Sequence, residues 1–277
     1  MSSERTYSLA FLTIPDVDPR QAVHIAADAG YQMVGLRMLP ATAEENSYPI
    51  LSSQRVLREV AAALADRGVR IGDLEIIRLA PHTNTESFIR FFDTAQFLDA
   101  RHVTIVNDDP VEARAAETLS RLCESAAPFN LTMNLEPMPW TATRTIGEAA
   151  RIVGLCGQRN AGILIDAFHF YRGGSRREQL ETLSPDSLNI FQICDAPADF
   201  DPTPEVIRHM ARTAREIPGQ GELDLASLIS LVPATAIISV EIPSQRLIRD
   251  YPPYERAARA LAMTQKLYST TCAPQMV

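Results

Sequence analysis

Short apolar runs typical of β-strands alternate with longer amphipathic stretches along the whole chain. The strand candidates are Tyr7–Thr13, Gln32–Leu39, Arg70–Leu79, His102–Asp108, Leu131–Pro137, Gly162–Ala167, Leu188–Asp195 and Ala236–Ile242. The amphipathic stretches predict helices at Pro19–Ala29, Gln54–Arg67, Glu86–Leu98, Val111–Ser125, Ile146–Leu155 and Tyr254–Leu267. This alternation predicts βαβ units and a parallel sheet.

The number of strand candidates favours a closed barrel over an open sheet. Eight candidates along the chain give roughly 34 residues per βα unit, which suits a (β/α)8 TIM barrel of the α/β class with eight parallel strands. An open, doubly wound sheet usually carries a glycine-rich turn after its first strand. Residues 12–18 of this chain contain no glycine. No linker or repeat interrupts the pattern, so we expect one domain, residues 1–277.

Charge and cysteine content exclude several classes of protein. The formal net charge of −8 argues against a nucleic-acid partner, because phosphate backbones require clustered lysine and arginine. The N-terminus lacks the layout of a signal peptide, and no apolar run is long enough for a membrane span. The four cysteines form neither a CxxC pair nor a disulfide framework. We therefore expect a cytoplasmic protein with reduced thiols and no membrane partner.

Oxygen-bearing side chains fall at the ends of the last four predicted strands. Strand alternation places Glu136 and Glu241 in the inward phase of the fifth and eighth strands. Asp166 ends the sixth strand, and Gln192 has the inward phase of the seventh. Because catalytic groups gather at the carboxyl ends of barrel strands, we expect these four side chains to converge.

Three converging carboxylates repel one another strongly unless a cation joins them. An all-oxygen set of glutamate, aspartate and glutamine suits Mn2+ or Mg2+ best, with Co2+ or Zn2+ as alternatives. The competing interpretation treats each acid as an isolated residue in a salt bridge. Repetition on successive strands favours the divalent metal site.

Four segments resemble the xylose isomerase-like barrel superfamily of sugar isomerases and epimerases. They are Asn134–Pro137, Asp166–Gly174, Phe191–Pro197 and Arg215–Asp224. The Asp-x-x-His and Arg-x-x-Pro-Gly-x-Gly patterns, in this order, are the most distinctive. The superfamily also contains inosose dehydratases, dehydroshikimate dehydratases and endonuclease IV.

The resemblance implies a metal-binding set at the strand ends and assigns roles around it. The metal ligands would be Glu136, Asp166, Gln192 and Glu241. Glu136 and Glu241 would flank the substrate and exchange protons with it, while His169 and Arg215 would contact substrate oxygens. Many members carry histidine where this chain has Gln192, whose amide oxygen coordinates more weakly. Relatives are often dimers or tetramers, which makes a homo-oligomer an expectation from resemblance alone.

Three further residues are candidates for substrate binding. Glu75 either binds substrate hydroxyls or forms a buried ion pair with Arg37 or Arg78. Trp140, the only tryptophan, follows Glu136 closely and either covers the apolar side of a sugar or packs within its loop. Arg172 either pairs with a substrate carboxylate or phosphate or is solvated beside the glycine pair that follows it.

These residues predict an enzyme that removes a proton from carbon beside a carbonyl group. Two carboxylates on opposite faces of that carbon suit isomerisation or epimerisation of a sugar, sugar phosphate or related small polyhydroxy ketone. The alternative is a metal-dependent dehydratase of an inosose or dehydroshikimate-like ketone, because the leaving group belongs to the substrate. A sugar-binding barrel without turnover is the second alternative. The endonuclease branch requires a histidine-rich multi-zinc site and a basic DNA-binding face. This chain has only five histidines and a net negative charge, so an endonuclease is disfavoured.

Overall fold

Eight parallel strands close into a barrel in the order of the sequence. The computed structural model describes residues 5–42, 45 and 48–272. The strands are β1 Tyr7–Leu9, β2 Met33–Arg37, β3 Arg70–Leu79, β4 His102–Asn107, β5 Thr132–Leu135, β6 Ala161–Asp166, β7 Leu188–Ile193 and β8 Ile237–Val240. Each strand pairs with the next, and β8 pairs with β1. The predicted (β/α)8 TIM barrel is thereby confirmed.

Helices follow the strands around the outside of the barrel. They are α1 Pro19–Ala29, α2 Gln54–Arg67, α3 Ile89–Phe97, α4 Glu112–Ala126, α5 Ile146–Cys156, α6 Ala167–Gly173, α7 Arg177–Glu181, α8 Pro204–Thr213, α9 Leu225–Ile229, α10 Gln245–Asp250 and α11 Pro253–Thr271. The predicted bounds of α1 hold at both ends because the local signals are strong. Asp18 caps the backbone N–H of Gln21, and Gly30 ends the helix at a φ of 94°.

The prediction of one strand over Tyr7–Thr13 was wrong in its second half. Phe11–Thr13 forms a 3-10 turn instead. The backbone N–H of Ala10 and the hydroxyl of Thr13 both donate to the carbonyl of Val240. These bonds hold the turn against the end of β8, so that the chain leaves the barrel wall early. The predicted helix Glu86–Leu98 likewise divides into a 3-10 turn, Thr85–Phe88, and α3.

The barrel interior has an apolar layer with polar residues above it. Met33, Leu164, Ile190 and Ile237 form a buried cluster of their own. Each shares its strand phase with a polar residue nearer the carboxyl end, and these are Arg37, Asp166, Gln192 and Glu241. The larger core cluster joins residues of the strands with residues of the helices. In the described part of the chain, no helix is both long enough and apolar enough to cross a membrane.

Candidate active site

The four predicted strand-end residues all lie at the carboxyl end of the barrel and are buried. Glu136 follows β5, Asp166 ends β6, Gln192 lies in β7 and Glu241 follows β8. Their exposed fractions are between 1% and 4%. Glu136, Gln192 and Glu241 line a cavity of about 290 Å³, which is the size of a small-molecule site. Asp166 is absent from the lining but contacts Arg215, which belongs to it.

Asp166 has two structural partners that explain the Asp-x-x-His spacing. Its Oδ1 accepts a hydrogen bond from the backbone N–H of His169 at 2.8 Å, so that Asp166 caps the N-terminus of α6. This cap places the His169 side chain over the end of β6. The other oxygen, Oδ2, accepts a hydrogen bond from Nη1 of Arg215 at 2.5 Å.

Arg215 is buried between two of the predicted metal ligands. Its Nη1 lies 3.2 Å from Oε2 of Glu241 in addition to its bond with Asp166, and its Nε donates to the carbonyl of Ala211. We expected Arg215 to contact substrate oxygens. The structure places Arg215 at the cavity wall. Its guanidinium also supplies one positive charge to Asp166 and Glu241, so these carboxylates are not unpaired.

His169 lies beside Glu136 and Trp140. Its Nε2 is 3.5 Å from Oε1 of Glu136, and its ring meets the edge of the Trp140 ring with 5.0 Å between centroids. Burial lowers the pKa of His169 to about 4, so the ring is neutral at neutral pH. Its Nδ1 is buried and has no hydrogen-bond partner in the described residues.

The carboxyl groups of the site differ in their affinity for protons. Burial raises the pKa of Glu136 well above its ordinary value, and the charges of Asp166 and Glu241 raise it further. Burial also raises the pKa of Glu241 to about 8, although Arg215 opposes this rise. Burial raises the pKa of Asp166 too, but Arg215 and His169 more than compensate, and the pKa lies below its usual range. Asp166 is therefore the carboxylate that stays ionised.

The site has the donor set of a divalent cation site. Glu136, Asp166 and His169 each offer one ligand atom, and these atoms lie within 4.8 Å of one another. The amide of Gln192 donates to Glu241 at 3.2 Å, while its Oε1 is buried without a partner in the described part of the chain. The charge of Asp166 is balanced by Arg215, and each proton that Glu136 or Glu241 loses adds a negative charge that a divalent cation can compensate. The residues present thus fit a divalent metal, and His169, which the resemblance assigns to substrate binding, offers one of the three ligand atoms.

Two of the three further candidates lie at the cavity and one does not. Glu75 and Trp140 line it. Oε2 of Glu75 accepts from Nε of Arg37 at 2.9 Å, so the ion-pair interpretation of Glu75 is correct, while its Oε1 has no partner among the described residues. Arg172 is not part of the lining, because its guanidinium stacks on Phe200 at 3.8 Å and donates to a loop carbonyl.

The sequence interpretation missed Asp195, which fixes the segment that carries Arg215. Its carboxylate accepts from the backbone N–H groups of Ala196, Gly219 and Leu223 at 2.9–3.0 Å. A Cβ at Gly221 would come within 2.5 Å of Asp195 Oδ1, so only glycine fits there. The sequence signal for this role was Asp195 at the end of the predicted seventh strand, together with the later Gly-x-Gly turn at residues 219–221.

Comparison with known proteins assigns the family. The model of the xylose isomerase-like TIM barrel family matches residues 23–267. The chain belongs to this family, as the motif resemblance predicted.

Two curated relatives are enzymes, and a solved structure shares the whole fold. Inosose isomerase of Bacillus velezensis is 30% identical over 139 residues, which are 48% of this chain and 48% of that protein. 3-Dehydroshikimate dehydratase of Pseudomonas aeruginosa is 28% identical over 158 residues, 55% of this chain and 24% of that protein. The chain thus spans about half the length of the curated isomerase and less of the dehydratase. A crystal structure of IolI protein with a binding zinc atom superposes with a TM-score of 0.81 at 20% identity, covering 97% of this chain and 99% of that one.

Proposed function

We propose that this protein is a divalent-metal-dependent isomerase or epimerase of a polyhydroxy ketone, and that it moves a proton on carbon beside the carbonyl group. The observation that carries the proposal is the placement of two buried glutamates, Glu136 and Glu241, on the wall of one cavity beside a metal-type donor set. The relationship to an inosose isomerase supports the same reaction class.

The two glutamates supply the proton transfers of this chemistry. One carboxylate removes the proton from the α-carbon, and the other returns a proton to the neighbouring carbon or to the opposite face. Burial raises the pKa of both groups, which makes their carboxylates stronger bases than exposed glutamates. Glu136 and Glu241 would therefore act as stronger general bases than exposed glutamates, while a bound cation would acidify the carbon acid.

The metal would be held by Glu136, Asp166 and His169, with Gln192 and Glu241 beside them. When bound, a divalent cation supplies positive charge for the substrate oxygens on which negative charge develops. An imidazole among the donors makes Zn2+ as suitable as Mn2+, in contrast to the all-oxygen set expected at first. The zinc atom in the IolI structure supports this extension.

Neighbouring groups orient the substrate and exclude water. Trp140 packs edge-on against His169 and presents apolar surface to the cavity. Glu75 lines the cavity, and its Oε1, which has no partner among the described residues, is the acceptor that it would offer to a substrate hydroxyl. Arg215 holds Asp166 and Glu241 in place through its guanidinium.

A dehydratase is the second candidate, because the relative from Pseudomonas aeruginosa carries that activity. The same α-proton removal leads to elimination when the substrate has a hydroxyl β to the acidified carbon. The substrate then decides the outcome rather than the site.

Proton exchange in D2O tests the proposal directly. The protein, loaded with Mn2+ or Zn2+, is incubated with ketoses, inososes and cyclic keto acids, and NMR follows loss of the α-proton signal and the products. We expect exchange with at least one ketone, and its absence in the double variant Glu136→Gln/Glu241→Gln. Exchange at the wild-type rate in that variant would refute the two-glutamate mechanism, and no exchange with any compound would favour a binding protein.

A further inference from the structure

Two arginines lie on the same cavity as the glutamates but nearer to solvent. Arg78 is the penultimate residue of β3 and is half-buried, while Arg212 lies in the last turn of α8 and is exposed. Both line the cavity with Glu136 and Glu241. Since the glutamates are buried, the two guanidinium groups mark the rim of the cavity.

The other arginines of the cavity wall have carboxylate partners. Arg37 bonds to Glu75 and Glu45, and Arg215 bonds to Asp166. Carboxylates within the protein neutralise the charges of Arg37 and Arg215, so these two guanidinium groups attract an anionic ligand less strongly.

Arg212 differs because it has no such partner. Within residues 5–42, 45 and 48–272, no hydrogen-bond acceptor or carboxylate lies within bonding distance of its guanidinium. The carboxylate of Glu45 acts on Arg212 through its charge but is itself bonded to Arg37. Arg78 bonds to Asp108 through Nη1 at 2.6 Å, while its Nε is buried without a partner in the same described residues. The two cavity-lining arginines therefore keep donors unused among the described residues: the guanidinium of Arg212 and Nε of Arg78.

We propose that the substrate carries an anionic group, a carboxylate or a phosphoryl group, which Arg212 and Arg78 bind at the rim while the ketone lies against the glutamates. This inference rests on the proposed function and narrows its substrate class to anionic polyhydroxy ketones. Guanidinium groups bind planar carboxylates and phosphoryl oxygens through paired, charge-assisted hydrogen bonds. An anion there would accept hydrogen bonds from the free donors of both guanidinium groups.

The only tryptophan of the chain, Trp140, lines the cavity, and its fluorescence reports ligand binding. The full-length protein is titrated with two matched pairs: D-ribulose against D-ribulose 5-phosphate, and quinate against its methyl ester. We expect the anionic member of at least one pair to bind about 10-fold more tightly or better, as loss of a charge-assisted bond implies. The preferred pair identifies a phosphoryl or a carboxylate group.

Two arginines of α8 distinguish anion binding at the cavity rim from general attraction by positive charge. Arg212→Gln should remove the preference, and Arg78→Gln should reduce it. Arg208→Gln makes the same charge change one turn earlier on α8, outside the cavity lining, and should keep the preference. Equal binding of both members of each pair, or equal losses in the Arg208 and Arg212 variants, would overturn the proposal.

The D2O experiment keeps the two proposals distinct. Exchange of neutral ketones without any anion preference would leave the isomerase standing and refute the anion site. An anion preference that depends on Arg212, without α-proton exchange of any ligand, would support the rim site and refute the isomerase.

Discussion

Arg215 and Asp166 form an ion pair that is closed off from solvent, with 2.5 Å between Nη1 and Oδ2. Both side chains are at most 2% exposed. The pair joins the end of β6 to the segment after α8, which are otherwise far apart in sequence. A buried charge that loses its partner keeps its desolvation penalty, so each member depends on the other.

Asp166→Asn should lower the free energy of unfolding by about 1.5–3 kcal/mol, because it removes the shorter of the two carboxylate contacts of Arg215 and leaves only Glu241, at 3.2 Å. Asparagine caps helices as well as aspartate does, so the cap of α6 is retained and the loss reports the ion pair. Urea denaturation measures the effect. The exposed pair Arg55–Glu59 provides the control, since Glu59→Gln should cost about 0.5 kcal/mol or less. Equal losses in both variants would contradict a structural role for the buried pair.

Glu136→Gln and Glu241→Gln should each reduce turnover by about 10²–10⁴-fold, the usual cost of losing a positioned general base. Glutamine keeps the size and one coordinating oxygen, so metal content should stay close to that of the wild type. Steady-state kinetics and elemental analysis measure the two quantities separately. Glu86→Gln, on an exposed turn, is the matched control. Full activity of both site variants would leave the metal as the sole catalyst.

Removal of divalent metal by chelation should abolish turnover, and Mn2+ or Zn2+ should restore it, because a cation compensates the negative charge that Glu136 and Glu241 gain when they lose their protons. Gln192→His should tighten metal binding, since imidazole coordinates more strongly than an amide oxygen. Competition with a fluorescent chelator measures the affinity. Undiminished activity in protein shown by elemental analysis to be free of metal would contradict metal dependence.

Asp195→Ala should loosen the segment that carries Arg215. Three backbone N–H groups lose their acceptor, and hydrogen exchange at Gly219 and Leu223 should accelerate by about 10-fold or more. Asp195→Asn keeps one acceptor oxygen and should rescue the exchange in part. Mass spectrometry of deuterium uptake follows these amides. The backbones of Asp195 and Glu216 also bond to each other in both directions at 2.8 Å. Unchanged protection in the alanine variant would show that this backbone pairing alone holds the segment.

His102 should make the protein sensitive to acid. Burial lowers its pKa to about 4 in the folded state, below the ordinary value of 6.5. Between these values the unfolded chain binds a proton that the folded protein excludes, so stability falls as the pH drops from 6.5 towards 4. In His102→Gln, the free energy of unfolding should fall less between pH 7 and pH 5. An identical fall in both proteins would assign the acid sensitivity to other groups.

The alternation of apolar runs predicted the barrel because strand phase and helix caps are local properties. The convergence of Glu136, Asp166, Gln192 and Glu241 followed from that phase alone. The pairing of Arg37 with Glu75 could also be predicted from the sequence, since the two residues are register partners on β2 and β3.

Other contacts depend on how the chain returns to the barrel, which strand phase does not encode. Arg215 reaches Asp166 only because Asp195 fixes the loop after α8. The guanidinium of Arg172 stacks on Phe200 outside the cavity, and Phe200 belongs to a loop that has no periodic pattern to predict this contact. The position of Arg212 on the cavity rim depends on the docking of α8 and had no signal in its own sequence.

The pairing of β8 with β1 joins the last strand of the barrel to the first, with Tyr7 opposite Ile238. Glu241 lies directly beyond the strand that makes this closure. On the ribosome, every other member of the candidate site is synthesised before the residue that completes it. The barrel wall stays open between β7 and β1 until β8 emerges, and a nascent chain that stops before β8 lacks both the closed wall and Glu241.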